Sequence, residues 1–596
     1  MLKCLSVTGM IIFTAFTATV FAERPADQPI ASTPGEAIRQ AVADFGELAR
    51  REAEGPAPTK THKAPGRPKP VPSNLPVPED ALIHSKIIPE ENLQNGAGAN
   101  TALFSPPTAV NFAALGDNNT RIPPDVHGAV GIPHLMVALN SEVRIQTRSG
   151  GTISTMNLQT FWSPVGPFMG VGAFDPKVLY DPYNNRWMMT AVADGGLGTS
   201  SLLIAVSQTS NPAGLWNLYR VDADGADMAW ADYPSIGFNK DWISVQVNMY
   251  NNVGNAFNRS HIYCFDKANL YAGGAGSFAL ITDATIGGTQ VPVTTYDNSI
   301  ATLYVLQSWN GSFMGSGFLR LYTLTGPVAA PVLTPVSFPS VAAPWDFAPP
   351  GFADFAPQMG SAALISNGDD RMLKVVYRNG TLWGTHTVFL PAGGAPNRSS
   401  VQWWQLTVAG GVSQFGRIDD AVPPLTFYAY PSLAVNKNND VLIGYSCFSS
   451  IQFASGNYAY RASTDLPNTL QPDAVLKIGE AFYNKTFGGP SNRWGDYSNT
   501  QVDPLDDKTL WTIQEYAELP ANLWGTWWGR IGYVAGDINN DGMFFPADVV
   551  LELNCVFTAA CTLPVAAYDM DCNGVLSPAD VVILLSLTFS AIPPPC

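Results

Sequence analysis

The sequence predicts a mainly β chain: one large domain of repeated four-stranded units, closed as a seven-bladed β-propeller, followed by a small α-helical calcium-binding module. Three observations predict it. Between Pro106 and Val534 short β-branched and aromatic runs alternate with turn residues, in a chain of 596 residues with 53 Gly, 48 Pro, 15 Trp and only 13% charged residues. Similar unit openings recur at intervals of about 50 to 70 residues, the spacing of propeller blades with variable loops. The C-terminal stretch carries one short acidic pattern twice.

The chain begins with an expected export signal, residues 1–22. Lys3 precedes an apolar run from Ile11 to Phe21, and Val20-Phe21-Ala22 offers a small-residue cleavage site before Glu23. The mature chain is therefore expected to start near Glu23 and to be secreted or extracellular. No later stretch is long and apolar enough to span a membrane. The formal charge of -16 argues against a polyanion such as nucleic acid as partner.

Residues 23–54 are expected to hold a helix, from Pro34 to Glu54, with Thr33 as cap and Ile38, Val42, Phe45 and Leu48 on one face. Residues 55–80 are Pro-rich and read as an extended linker.

In the propeller region, 106–534, the units open at Pro124-Asp125-Val-His127, Phe174-Asp175-Pro176, Asp232-Tyr233-Pro234, Val291-Pro292, Pro357-Gln-Met-Gly360, Tyr430-Pro431-Ser432 and Gly495-Asp496-Tyr497. Within several units an apolar strand meets an Asn/Asp-rich turn and a second strand leaves it, as in Phe174 to Trp187 and Tyr430 to Tyr445. The first strand of a propeller blade lines the central channel. Asp125, His127, Asp175, Asp232, Tyr233, Tyr430, Arg493, Asp496 and Tyr497 are therefore expected at one channel mouth, as a candidate ligand site.

Pro123-Pro-Asp-Val-His-Gly-Ala-Val-Gly131, with Asn140 after it, and Arg493-Trp-Gly-Asp-Tyr-Ser498 resemble secreted bacterial β-propellers of the sialidase-like kind. That resemblance implies three arginines on a carboxylate, a tyrosine nucleophile paired with a glutamate, and an aspartate acid. Arg186, Arg493, Tyr233, Glu515 and Asp125 are residues of those types, yet no spacing assigns them, so the catalytic residues stay unknown. No His-Glu-x-x-His pair, Gly-x-Ser-x-Gly elbow or glycine-rich phosphate loop occurs.

The final stretch, 535–596, holds two loops. Asp537, Asn539 and Asp541 stand at loop positions 1, 3 and 5, Gly542 at 6, Met543 at 7 and Asp548 at 12. The second copy repeats this with Asp569, Asp571, Asn573, Gly574, Val575 and Asp580, and adds Ser577 at position 9. Oxygen donors at this spacing, with a backbone carbonyl at 7, wrap a hard cation, so two calcium ions are expected. No helix is expected before either loop, whereas Pro-Ala-Asp-Val-Val starts a helix after each. A tandem loop-plus-helix at a C-terminus resembles a type I dockerin, which implies a cohesin-type module or cell-surface protein as partner. By that resemblance the partner-reading positions are Pro546, Ala547, Pro578 and Ala579.

Cys555, Cys561, Cys572 and Cys596 crowd into this module and suggest two disulfides, with three pairings open. Cys264 and Cys447 read as buried thiols. Little chain separates Val534 from Asp537, so the module is expected to pack on the propeller rim. The functional expectation is a binding or scaffolding propeller that presents a glycan- or protein-binding surface. The alternative is a glycoside hydrolase, sialidase-like or otherwise polysaccharide-degrading, with its site at the channel mouth.

Overall fold

A computed structural model describes residues 28–55, 69–72, 74–84, 86, 104–532, 535–538, 544–561, 563, 565–571 and 575–590. The expected signal segment and 56–68 of the Pro-rich stretch lie outside the described residues.

The chain is mainly β, arranged as a propeller of antiparallel meanders. The first runs through His127–Val130, His134–Ala138, Glu142–Thr147 and Thr152–Asn157. Later meanders have inner strands Ala173–Asp181, Ala229–Phe238, Met372–Arg378, Thr426–Val435 and Asn499–Val502. Inner strands of neighbouring units touch one another around the ring. Thr108–Gly116 pairs with Leu523–Ile531, so the start of the domain supplies the outer strand of its last unit and closes the circle.

The blade count differs from expectation. Five blades stand as separate sheets, of six, five, four, four and four strands, rather than seven. The meanders that begin at Ala229 and Met372 share one ten-stranded sheet, because Thr294–Thr295 runs parallel to Phe238 on one side and to Val376 and Tyr377 on the other. On its other edge the same segment stays paired with the next unit, through Val291–Pro292 with Leu306 and Val305 and Val293 N donating to Tyr304 O at 3.0 Å. Val293 then accepts a hydrogen bond from Phe238 N at 3.0 Å. Gly237 permits this approach, since a Cβ there would lie 2.2 Å from the Pro292 carbonyl oxygen. The expected opening at Pro357 to Gly360 is a separate hairpin, Ala356–Gln358 with Ser361–Ile365, and the inner strand of that unit begins at Met372 instead.

The N-terminal segment is not one helix from Pro34. Ile30–Ala31, Thr33–Gly35 and Arg39–Asp44 are strands on the outer edges of three units, paired with Val332–Ser337, Phe278–Asp283 and Leu215–Asp222. Open sheet edges carry unmet N–H and C=O groups, and pairing with them overrides the helical pattern. Ile38 and Val42 are 58% and 61% exposed, so the apolar face read from the sequence does not form. The helix is confined to Phe45–Glu54, capped by Asp44, whose carboxylate accepts from Glu47 N at 2.9 Å.

Large aromatics fill the space between facing sheets. Trp162, Trp187, Trp216, Trp345, Trp404, Trp494 and Trp528 are fully buried. The C-terminal module has its own small core of Ile538, Val549, Cys555, Tyr568, Met570 and Leu584, under the helices Pro546–Thr558 and Pro578–Ser590. Cys555 and Cys561 are disulfide-bonded, Cys264 and Cys447 are buried and free, and Cys572 and Cys596 lie outside the described residues. Asp569 of the second loop lies within electrostatic range of Lys508 in the last blade. No helix among the described residues is long and apolar enough to cross a membrane.

Candidate functional site

The mouth is built by a repeated backbone device. Asp125, Asp175, Tyr233 and Tyr430 have φ of 54°, 54°, 56° and 55°, a left-handed conformation that costs a non-glycine residue about 1–3 kcal/mol. Three of the four precede a proline, whose missing N–H interrupts the ladder, and the register shifts there: opposite Thr190 and Val192, between Asp232 and Ser235, and between Ala429 and Ser432.

The kink turns backbone N–H groups toward the neighbouring unit. Asp175 N donates to Asn140 Oδ1 at 2.7 Å, Tyr233 N to Asp175 Oδ2 at 3.2 Å, and Asp496 N to Asp125 Oδ1 at 2.8 Å. Asn140 Nδ2 donates in turn to Asp125 Oδ2 at 2.6 Å. The aspartates thus latch successive units together around the centre. Tyrosine hydroxyls do the same: Tyr497 Oη donates to Pro176 O at 3.0 Å, Tyr430 Oη to Ser366 O at 2.8 Å and Tyr233 Oη to Asp496 O at 3.3 Å.

Of the residues expected at the mouth, Asp125, Asp175, Tyr233, Tyr430, Arg493, Asp496, Tyr497 and His127 come together in this network. Asp232 stands at its outer edge. His127 is a buried acceptor for Val178 N at 3.2 Å, and its burial, with the nearby Lys374 and Lys177 charges, holds it well below the usual imidazole range.

Lys177, Asp369, Arg371 and Lys374 also belong to the mouth, and sequence reading missed them. Lys177 Nζ lies 4.5 Å and 4.3 Å from the ring centroids of Tyr233 and Tyr497. Lys374 Nζ donates to Asn499 Oδ1 at 3.0 Å. Arg371 pairs twice with Asp369, at 2.6 and 2.7 Å, and lies over the Tyr233 ring. Lys177 follows the Asp175-Pro176 kink by one residue, a signal that could have found it. The Asp-Asp-Arg run at 369–371 could have pointed to the others.

Burial dominates the electrostatics. It pushes Asp175 well above the usual carboxylate range, helped by the charges of Asp125, Asp232 and Asp496. Asp125 is pushed up to about 7 by burial and then by Asp496, against the pull of Arg493. The two buried carboxyls act on each other, which helps hold Asp175 up. Burial brings Lys177 and Lys374 each down to about 7.

This mouth has little space. The depression lined by Tyr233, Asp369, Arg371, Tyr430 and Asp496 leaves ≈ 10 Å³, about one water. Arg186 points elsewhere, donating to the carbonyls of Asn184 and Asn185. The arginines described at the mouth, Arg371 and Arg493, are each held by an aspartate, Arg493 donating to Asp496 Oδ1 at 2.6 Å.

The C-terminal loops share a second repeated arrangement. In the first, Ile538 N and Phe545 N donate to the two carboxylate oxygens of Asp548, both at 2.9 Å. In the second, Met570 N and Ser577 N donate to those of Asp580 at 2.9 and 2.8 Å. The position-12 aspartate therefore ties the loop start to the N-terminus of the exiting helix in both copies. Ligand oxygens of Asp569, Asp571 and Asp580 lie within 4.8 Å of one another. Oxygen-only donors so spaced fit a hard cation. Asp537 is buried beside its loop start. Asn539, Asp541, Met543 and Asn573 lie outside the described residues.

No family model and no curated protein matches the chain. Among solved structures, it is similar to a Trypanosoma rangeli sialidase in complex with sialic acid, at 10% identity and a TM-score of 0.32, over 67% of this chain and 59% of that one. It is similar to an α-L-arabinofuranosidase from Fusarium graminearum at 9% identity and a TM-score of 0.34, over 71% of this chain and 98% of that one. A third is a polysaccharide lyase of family PL25, an ulvan lyase, at 8% identity and a TM-score of 0.33, over 72% and 96%. The chain thus spans less than two thirds of the sialidase, and its propeller arrangement stands on strand topology rather than on these likenesses.

Proposed function

We propose that this is an exported binding or scaffolding propeller, presenting its channel mouth and surrounding loops to a glycan or a protein. A dockerin-like C-terminal module holds two calcium ions and attaches the protein to a cohesin-type or cell-surface partner. One observation carries the binding reading: the acids of the mouth are already engaged. Asp125 serves Asn140 and the Asp496 amide, Asp175 serves Tyr233, Asp369 serves Arg371, and Asp496 serves Arg493. Groups so committed hold blades in place and shape a surface; they do not stand ready across a glycosidic bond.

Asp569, Asp571 and Asp580 hold one cation, with Val575 offering its carbonyl, and Asp537 and Asp548 begin and end the other loop. Bound calcium cross-links each loop to its exiting helix. Exposed Pro546, Ala547, Pro578 and Ala579 at the helix starts face a partner.

A second reading is a glycoside hydrolase. The raised Asp125 favours it, since an acid near neutrality suits general acid catalysis. Screening the full chain, calcium-loaded, against sialosides and plant and algal polysaccharides separates the two. Binding without turnover is the expected result. Turnover that disappears in both Asp125→Asn and Arg493→Ala overturns the scaffold reading.

A further inference from the structure

The Pro-rich stretch does not stand off the propeller where it is described. Leu75 N donates to Trp309 O at 3.2 Å, Asn310 Nδ2 to Leu75 O at 3.0 Å and Trp309 Nε1 to Pro76 O at 2.9 Å. Upstream of these contacts, Lys69 is held in a box at the edge of the mouth. Its ammonium lies 3.1 Å from Asp232 Oδ2, 4.2 Å from the centroid of the Trp230 ring and 5.7 Å from that of Tyr250. The two rings are 5.7 Å apart and tilted by 39°, so they form two walls and the carboxylate a third.

The backbone is read as well. Arg371 Nη2 donates to the Lys69 carbonyl at 3.1 Å, and the Tyr250 hydroxyl reaches the Lys69 and Pro70 carbonyls at 3.5 Å. Arg371 is itself fixed by its double bond to Asp369. Beyond it, Val71 and Pro72 line a small recess with Thr289, Trp309 and Asp370. Side chain and carbonyl are therefore both held, and the prolines are seated beside them. Aromatic walls with a carboxylate select an ammonium, and proline-set extended backbone docks at low entropic cost.

We propose that this box is a recognition site for an extended, proline-flanked lysine segment of a partner protein, and that Lys69 to Pro72 is a tethered occupant which the partner displaces. The proposal rests on the binding reading of the mouth and names its ligand class. A tethered occupant competes at an effective concentration on the order of millimolar, so the parent chain binds such a segment weakly in trans.

The test uses the full chain and an acetylated, amidated peptide, Arg-Pro-Lys-Pro-Val-Pro, followed by calorimetry and tryptophan fluorescence. Lys69→Ala empties the box and is expected to bind the peptide at least tenfold more tightly than the parent. Adding Asp232→Asn, or replacing the peptide lysine by alanine, is expected to abolish that binding. Lys69→Gln and thermal melting of each variant separate lost binding from lost fold. The proposal is overturned if folded Lys69→Ala and Lys69→Gln bind no peptide, if Asp232→Asn leaves affinity unchanged, or if the parent binds as tightly as Lys69→Ala. A negative result here with glycan binding intact removes the lysine box alone. Polysaccharide turnover removes the scaffold reading instead and leaves the peptide result standing.

Discussion

The channel mouth and the C-terminal loops both gather acids, and they balance them in opposite ways. At the mouth Asp125, Asp175, Asp232, Asp369 and Asp496 are interleaved with Lys69, Lys177, Arg371, Lys374 and Arg493. From 535 to the C-terminus the chain has Asp537, Asp541, Asp548, Glu552, Asp569, Asp571 and Asp580 and no Lys or Arg. Glu552 is buried, and burial with the charge of Asp580 pushes it up to about 8. On the proposed reading, the charge set that closes within the fold holds a rigid scaffold and the one that does not is balanced by a cation from solution.

The contrast breaks first, and most strongly, on metal removal. In the full chain, chelation is expected to abolish the unfolding transition of the C-terminal module in calorimetry and to leave the propeller transition in place. Saturating calcium stabilises a site by about 4 kcal/mol at a thousandfold excess over Kd. Asp569→Ala and Asp580→Ala are expected to weaken calcium binding by more than tenfold. Equal melting with and without chelator would sink the calcium assignment.

The mouth responds to a different insult. Arg493→Ala leaves Asp496, and Asp125 behind it, without their buried cation, and is expected to cost about 3 kcal/mol in urea unfolding of the propeller, calcium or no calcium. A loss below about 1 kcal/mol would mean that the aspartates are not charge-balanced by this arginine.

How much of this was legible in the sequence follows from where each partner comes from. The Asp or Tyr before proline at 175, 233 and 430 recurs with the blade spacing, and the turn chemistry between strands is local, so the unit openings stood out. The twin loops are wholly local and carry their own spacing. Lys177, Arg371 and Lys374 are single residues without a period, and they meet only once the ring has closed. The strands at 30–44 looked helical because Ile38 and Val42 fall at helical spacing, while the edges that claim them lie hundreds of residues away. The merged ten-stranded sheet was equally hidden, since it depends on Pro292 and Gly237 meeting across two units. Lys69 falls inside the stretch read as an extended linker because its box is assembled from the distant Trp230, Asp232 and Tyr250.

The comparison sharpens further through pH, with calcium held saturating so that only the propeller titrates. Asp125 sits at about 7 in the fold against an ordinary value of about 3.9, so from about pH 4 to 7 the native state holds a proton that the unfolded chain has released. That contribution is present at low pH and is lost as pH rises through 7. Lys177 and Lys374 sit at about 7 against an ordinary value of about 10.4. Between those limits the unfolded chain binds protons that the native state does not, so stability climbs with pH over that range. The propeller is therefore expected to pass through a stability minimum near neutrality. Asp125→Asn reduces the fall on the acid side; Lys177→Met reduces the rise on the alkaline side. Urea midpoints at pH 5, 7 and 9 read both slopes. An acid-side slope unchanged in Asp125→Asn would remove the raised acid from the mouth, and with it the one observation that favours a hydrolase.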